Sequence, residues 1–300
     1  MFRLLRQERG AAIVVVALSI TVMIGFGALI VDISNLYLNK TRLVNMVDAA
    51  ALAGVQDLPD DPQAAVASAY SYAAQNGINS DLVVVTISQN NMVVTVNATR
   101  TVSFFFAPIF NMISSNVTAR AAAKVIPISG ASGIVPFGVV KQQFTYGDPY
   151  NLKEGGGSGY NGNFGALALG GSGSPIYQNN IKNGYNSQLH IGDWVGTEPG
   201  NMSGPTSEGV DYRMGLDKYA TFETVEKGSS RIVIVPVIES LETNGRSEVE
   251  IVGFAAFFLE GVGGKGNDNY VTGQFIQMVI PGEVSSGATG YGLYSSTLIE

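Results

Sequence analysis

The 300-residue chain is 46% hydrophobic and only 14% charged, so it has apolar side chain enough for folded domains and is not a disordered polymer. It has no cysteine, which removes disulfides, thiolate metal sites and Cys nucleophiles together. Arg3, Arg6 and Arg9 face only Glu8 ahead of the first apolar run, whereas the chain beyond residue 10 carries about −9, the wrong sign for a nucleic-acid partner.

From Ala11 to Val31 the chain runs AAIVVVALSITVMIGFGALIV, 21 residues without a charge, the length a helix needs to cross a bilayer core. The h-region of a cleaved signal is shorter, about 7 to 15 residues, so the run is read as a retained transmembrane helix. Basic residues on its N-terminal flank predict a cytoplasmic leader over 1–10, with residue 32 onward on the other side. Gly25, Gly27 and Ala28 offer a small-residue face where another helix could approach, and a homo- or hetero-oligomer through this helix is expected. Apolar positions from Ile33 through Val47 to Gly54 recur every three or four residues. The helix therefore continues beyond the span as an amphipathic stalk, a rod of roughly 65 Å at 1.5 Å per residue from Ala11 to Gly54.

The N-terminal stretch resembles the Tad domain of TadE/TadG-like proteins of Flp (tight adherence) pilus assembly. The resemblance rests on Arg9-Gly10 before the span, Asp32 at its outer end, Leu43-Val44-Asn45, and the block Asp48-Ala49-Ala50-Ala51-Leu52-Ala53-Gly54. Consecutive alanines give that block a slim surface for close packing. The resemblance implies a non-enzymatic, membrane-anchored protein whose partners are the membrane and other pilus-assembly or pilin-like subunits. A prepilin-type cut would fall between Gly10 and Ala11 and would make the chain a filament subunit instead. Yet Val15 stands five residues beyond Gly10 where pilins usually have Glu, and Asp32–Leu36 lacks the second Ser of the DxSxS metal site found in longer TadG proteins.

Past Gly54, Asp61 and Pro62 start a second helix, as N-cap and first helical residue, which runs to Gln75. Alternating runs Leu82–Ile87 and Met92–Thr99 predict a hairpin, and Asn116–Val125 another strand. Between them the apolar SFFFAPIFNM, Ser103 to Met112, is expected to form a short helix or turn tucked against the stalk. A stalk helix on a small antiparallel sheet, over residues 32–126, is a pilin-like layout.

Pro127–Gly133 reads as a linker into a Gly-rich domain over 127–300. Strand-like runs recur there at Ile134–Val140, Phe164–Leu169, Leu189–Val195, Arg231–Ile238, Val249–Leu259 and Tyr270–Ile280, with no sustained helical period. The fold class is α+β, with the second domain mostly antiparallel and β-sandwich-like. Pro236 implies an edge strand or a bulge. Loops from Glu154 to Asn163 and from Gly192 to Gly209 are long enough to be exposed.

No catalytic group, cofactor or metal site is assigned. His190, the sole histidine, has Asp193 nearby but no GxSxG elbow anywhere in the chain. Two GxGxxG strings, from Gly157 and Gly261, sit among turn residues and do not open a helix. Asp193, Glu198, Glu208, Asp211 and Asp268 lack calcium-loop spacing. A surface β domain that binds carbohydrate stands as the reading from a different class.

Overall fold

The computed structural model describes residues 4–77, 82–153, 164–241 and 246–299, with side chains of the first helix described from Gly10 onward. The loop expected at Glu154–Asn163, with the first GxGxxG string, lies outside the described residues. The fold is α+β, as expected: a long apolar N-terminal helix followed by a mostly antiparallel β-rich body.

Helix α1 (Leu4–Gly54) is unbroken for 51 residues, about 76 Å. No proline interrupts it, and its two hydroxyls within the apolar run donate back to helix carbonyls, Ser19 to Val15 O at 2.8 Å and Thr21 to Ala17 O at 2.9 Å. Residues 11–27 are exposed throughout. Farther along, Leu43, Met46, Val47, Ala50 and Ala51 are buried at helical spacing. A 3-10 turn at Val55–Asp57 ends the rod, and α2 (Pro62–Gln75) folds back on it. Asp61 caps α2 by accepting from the amides of Gln63 and Ala64 at 2.9 and 2.8 Å, the arrangement read from Asp61-Pro62.

Strands β1 (Leu82–Ser88) and β2 (Val93–Ser103) form the expected hairpin, with Leu82 opposite Thr99 and Ser88 opposite Val93. β3 (Ser114–Ala131) pairs with all of β2. Period-two alternation places Val94, Val96 and Ala98 with Ala119, Ala121, Ala123 and Val125 in one core with α1 and α2. Pro127–Gly133, expected as a linker, is strand as far as Ala131, where Ile128 and Gly130 pair with Val284 and Glu283 from near the end of the chain.

The Gly-rich half supplies β4 (Val139–Val140), β5 (Pro149–Leu152) and β6 (Leu167–Ala168), then helix α3 (Ser174–Asn183). Short strands β7 (Leu189–His190) and β8 (Trp194–Thr197) precede helix α4 (Ser203–Leu216). Next come β9 (Ile232–Ile238), β10 (Glu248–Gly263), β11 (Tyr270–Ile276), β12 (Met278–Val279), β13 (Glu283–Val284) and β14 (Leu293–Leu298).

The two helices correct the expectation that this half has none. Each buries a single apolar pair or less, Tyr177 with Ile181 in α3 and Val210 in α4, so neither leaves a sustained period in the sequence. They meet at Gly209, where a Cβ would lie 2.6 Å from Ile181 Cγ2.

One sheet runs β1-β2-β3-β14-β12, with β7 and β13 also on β3; the other runs β4-β9-β10-β11-β5, with β8 on β10 and β6 on β8. The end of the chain thus returns to the stalk sheet, with Tyr294 opposite Pro127 and Leu298 opposite Ala123. Gln56 at the end of the rod donates to Ser296 at 3.0 Å, and Lys227 donates to Gln56 O at 2.6 Å. Pro236 lies opposite Phe254 on β9, whose outer side meets only the two-residue β4 and an isolated bridge at Ile234. A bulge in β10 at Ile251/Gly253 lies beside it, so no long ladder needs its missing N–H. The second core centres on Phe257 and Phe275, whose ring centres are 5.0 Å apart, with Phe144 stacked on Phe275 at 4.0 Å.

Candidate membrane and assembly surface

The apolar run of α1 is bare on every side. The helix is long and apolar enough to cross a membrane, with a mean hydropathy of 2.7 in its most apolar window and none of that window buried. Gly25 and Gly27 are exposed and a Cβ on either would meet nothing within 4 Å; Gly25 shares a side of the helix with half-buried Ala28, whereas Gly27 lies on the opposite side. Gly10 and Ala11 are continuous helix, both exposed.

The alanine block faces the other way. Ala50, Ala51 and Gly54 are buried in the protein's own core, Asp48, Ala49 and Ala53 are half-buried, and Leu52 alone points outward. A Cβ on Gly54 would stand 2.7 Å from Ala65 O on α2. The slim surface is occupied by α2 and the sheet of the same chain.

At the outer end of the run, Asp32 is only 3% exposed. Its carboxylate accepts three backbone hydrogen bonds from the β2–β3 loop: Phe105 N at 2.7 Å, Phe106 N at 3.1 Å and Ala107 N at 2.7 Å. Burial works to raise the Asp32 pKa, but the amides of Phe105, Ala107 and Phe106 outweigh it and hold it below its ordinary value. The loop closes on Phe104 N to Ile113 O at 3.0 Å and turns through a 3-10 segment at Ala107–Phe110. Asn35 donates to Ser103 O at 3.3 Å and Lys40 to Thr118 O, tying both flanks to α1. The segment thus forms the expected short turn on the stalk, held by its backbone and by buried Ala107, while the large side chains from Phe105 to Ile113 point out. The signal for Asp32 lay in the sequence as the only charge between Arg9 and Lys40.

Because the folded pKa of Asp32 lies below its ordinary 3.8, its hold on the loop is complete above that value and is lost as pH falls through the folded one. Amide exchange at Phe105–Ala107, corrected for intrinsic rates, should therefore be constant above pH 4 and accelerate only in stronger acid. Asp32→Asn, which exchanges one accepting oxygen for an NH2 group, should accelerate it at neutral pH with the helix signal unchanged.

The residues weighed for chemistry are dispersed. His190 sits between Asp193 (3.6 Å) and Glu283 (3.3 Å), all three partly exposed. Glu198 is buried under Arg246 at 3.4 Å, whereas Glu208 meets Gln178 at the surface and Asp268 lies in a 3-10 turn. Among the described residues no group of three or more His, Asp or Glu could hold a metal ion. The second GxGxxG string forms the β10–β11 turn, where Gly264 has φ +65° and a Cβ would collide with Asp268 O at 1.8 Å. Its glycines serve the turn.

Two features of the body escaped the sequence reading. Lys153, buried at the end of β5, donates to Asn269 Oδ1 at 2.7 Å, and burial pushes its pKa down to about 7. Between about 7 and 10.5 the folded chain holds fewer protons here than the unfolded one, so stability rises with pH across that window and the charging cost is fully present below it. Lys153→Met should flatten that slope in thermal melts taken across the window and raise the melting temperature below pH 7. The other feature is a groove of about 520 Å³ lined by Gln142, Phe144, Tyr146, Gln277, Tyr291 and Tyr294 among others. Burial, with Tyr294 and Tyr150 nearby, pushes the Tyr146 phenol up to about 12, so it stays a neutral hydrogen-bonding group.

Against known families, residues 10–57 match the Tad model, described as putative Flp pilus-assembly TadE/G-like. The matched segment takes in α1 from Gly10 and ends with the 3-10 turn that closes the rod. No curated protein gives a significant match, and no solved structure does.

Proposed function

We propose that this protein is a membrane-anchored, non-enzymatic component of tight-adherence (Flp) pilus assembly, with residues 11–31 as its anchor and residues 32 onward outside the cytoplasm. The observation that carries the reading is the Tad match over 10–57, a segment that pairs a bare apolar helix with a packed stalk. Arg3, Arg6 and Arg9 against Glu8 favour the stated orientation. Exposed Gly25 and Gly27 suit close approach by another transmembrane helix of a pilus-assembly subunit or of a second copy.

Deleting the coding region from a pilus-forming host should abolish surface pili, and the full chain should restore them where a chain lacking 11–31 does not. Pili that persist after deletion would overturn the reading. N-terminal sequencing of the mature protein separates this role from that of a filament subunit: Ala11 as first residue would favour the filament.

The groove at Tyr146 favours a second reading, a surface domain that binds carbohydrate, since aromatic rings with amide side chains suit the CH faces and hydroxyls of a sugar. Glycan-array binding lost on Tyr146→Ala would support it, and an empty array would remove it.

A further inference from the structure

Resting on the reading that residues 11–31 cross the bilayer, we propose that the β2–β3 loop is a second membrane contact, inserted in the lipid interface beside the point where α1 emerges. Its tip presents Phe105, Phe106, Ile109, Phe110, Met112 and Ile113, with Ile109 82% and Phe110 72% exposed. Six large apolar side chains in nine residues form a patch that a water-facing loop does not keep.

Three observations select lipid as the occupant. The first is level: a helix rises 1.5 Å per residue, so 21 residues cover about 30 Å of hydrocarbon, and Asp32, the next residue, holds the loop at the boundary. On α1, Val31 and Ile33, which flank Asp32, are also exposed. The second is charge. No charged residue occurs from Thr101 to Ala119, and the lone charge of α1 at this height, Asp32, is neutralised by backbone N–H groups instead of water. The third is backbone satisfaction. Amides of Phe105, Phe106 and Ala107 are taken by Asp32, those of Phe104, Ile109, Asn111 and Met112 by loop carbonyls, and Pro108 has none. A loop entering lipid must meet its own hydrogen-bonding demand in this way, and one in water need not. Phenylalanines at this depth and Tyr37 just above would grip the interface.

The absence of cysteine gives a clean test. Single-Cys variants Ile109→Cys, Phe110→Cys, Phe26→Cys and Tyr219→Cys, each carrying an NBD fluorophore, are reconstituted as full chains in phosphatidylethanolamine/phosphatidylglycerol vesicles with or without nitroxide-labelled lipid. The Phe26 probe reports the span and the Tyr219 probe bulk water. Blue-shifted emission at 109 and 110, quenched several-fold by the shallow nitroxide, is the expected result. A quenched Phe26 probe with water-like emission at 109 and 110 would overturn the loop contact and leave the span standing. Probes at 109 and 110 that are shielded yet unquenched would assign the patch to protein, a second copy included, and overturn it too. An unquenched Phe26 probe would bring down the span reading, and the loop with it.

Discussion

Val16→Lys combined with Ile20→Lys should release the protein from the membrane, detected as loss of the chain from alkali-washed or floated membranes. Both positions lie mid-run, one helical turn apart on the same side of α1, and more than half of each side chain is exposed. A lysine near the centre of a transmembrane helix costs about 2.5–3.5 kcal/mol, so the pair costs roughly 6 kcal/mol, about four orders of magnitude in the insertion equilibrium. The body should fold as before, because residues 11–27 are exposed throughout and the hydrophobic cores are built from residue 43 onward. The expected product is therefore a soluble or interface-bound chain with its sheets intact. Retention of the double variant in washed membranes would mean that something other than this helix holds the protein there.

The same division between local and distant causes explains what could be read from the residues. An uncharged run of 21, a Pro after an Asp, and two alternating segments around a polar turn each carry their structural cause within a few positions, and α1, the α2 cap and the β1–β2 hairpin follow. Helices α3 and α4 do not, because what fixes them is contact with each other and the body, Gly209 against Ile181, Arg213 on Ile181 O and Tyr177 against Phe137, and not a stripe of apolar residues. β14 has no local mark of its destination: it pairs with a strand ending more than 160 residues earlier, and only the joint core tells it where to go. The segment Ser103–Met112 forms the short turn on the stalk that its apolar residues suggest, but which of its side chains stay outside is set by the distant contact of its amides with Asp32 and has no local mark. On the candidate surface, Gly25 and Gly27 are exposed and Ala28 is half-buried, whereas the close packing of Asp48–Gly54 is taken up within the chain.

That last point makes a quantitative expectation. In Gly54→Val the new Cβ would press on Ala65 O at 2.7 Å, Ala69 Cβ at 3.1 Å and Val94 Cγ2 at 3.4 Å. The nearest atom is a backbone carbonyl inside α2, which cannot swing aside as a side chain would, so α2 must lift off α1 and expose Ala65, Ala69 and Ala73. Overpacking of this kind costs about 1–3 kcal/mol, offset by a few tenths from replacing a helical glycine. At about 2–4 °C per kcal/mol for a body of this size, the melting temperature in detergent should fall by roughly 3–10 °C. Leu52→Ala, two residues away and outward, should move it by no more than about a degree or two. If the block were instead an intermolecular face, the order would invert: Leu52→Ala would weaken association at unchanged melting temperature, and Gly54→Val would leave the isolated chain as stable as before. A Gly54→Val protein that melts with the parent would show that α2 does not rest on the alanine block.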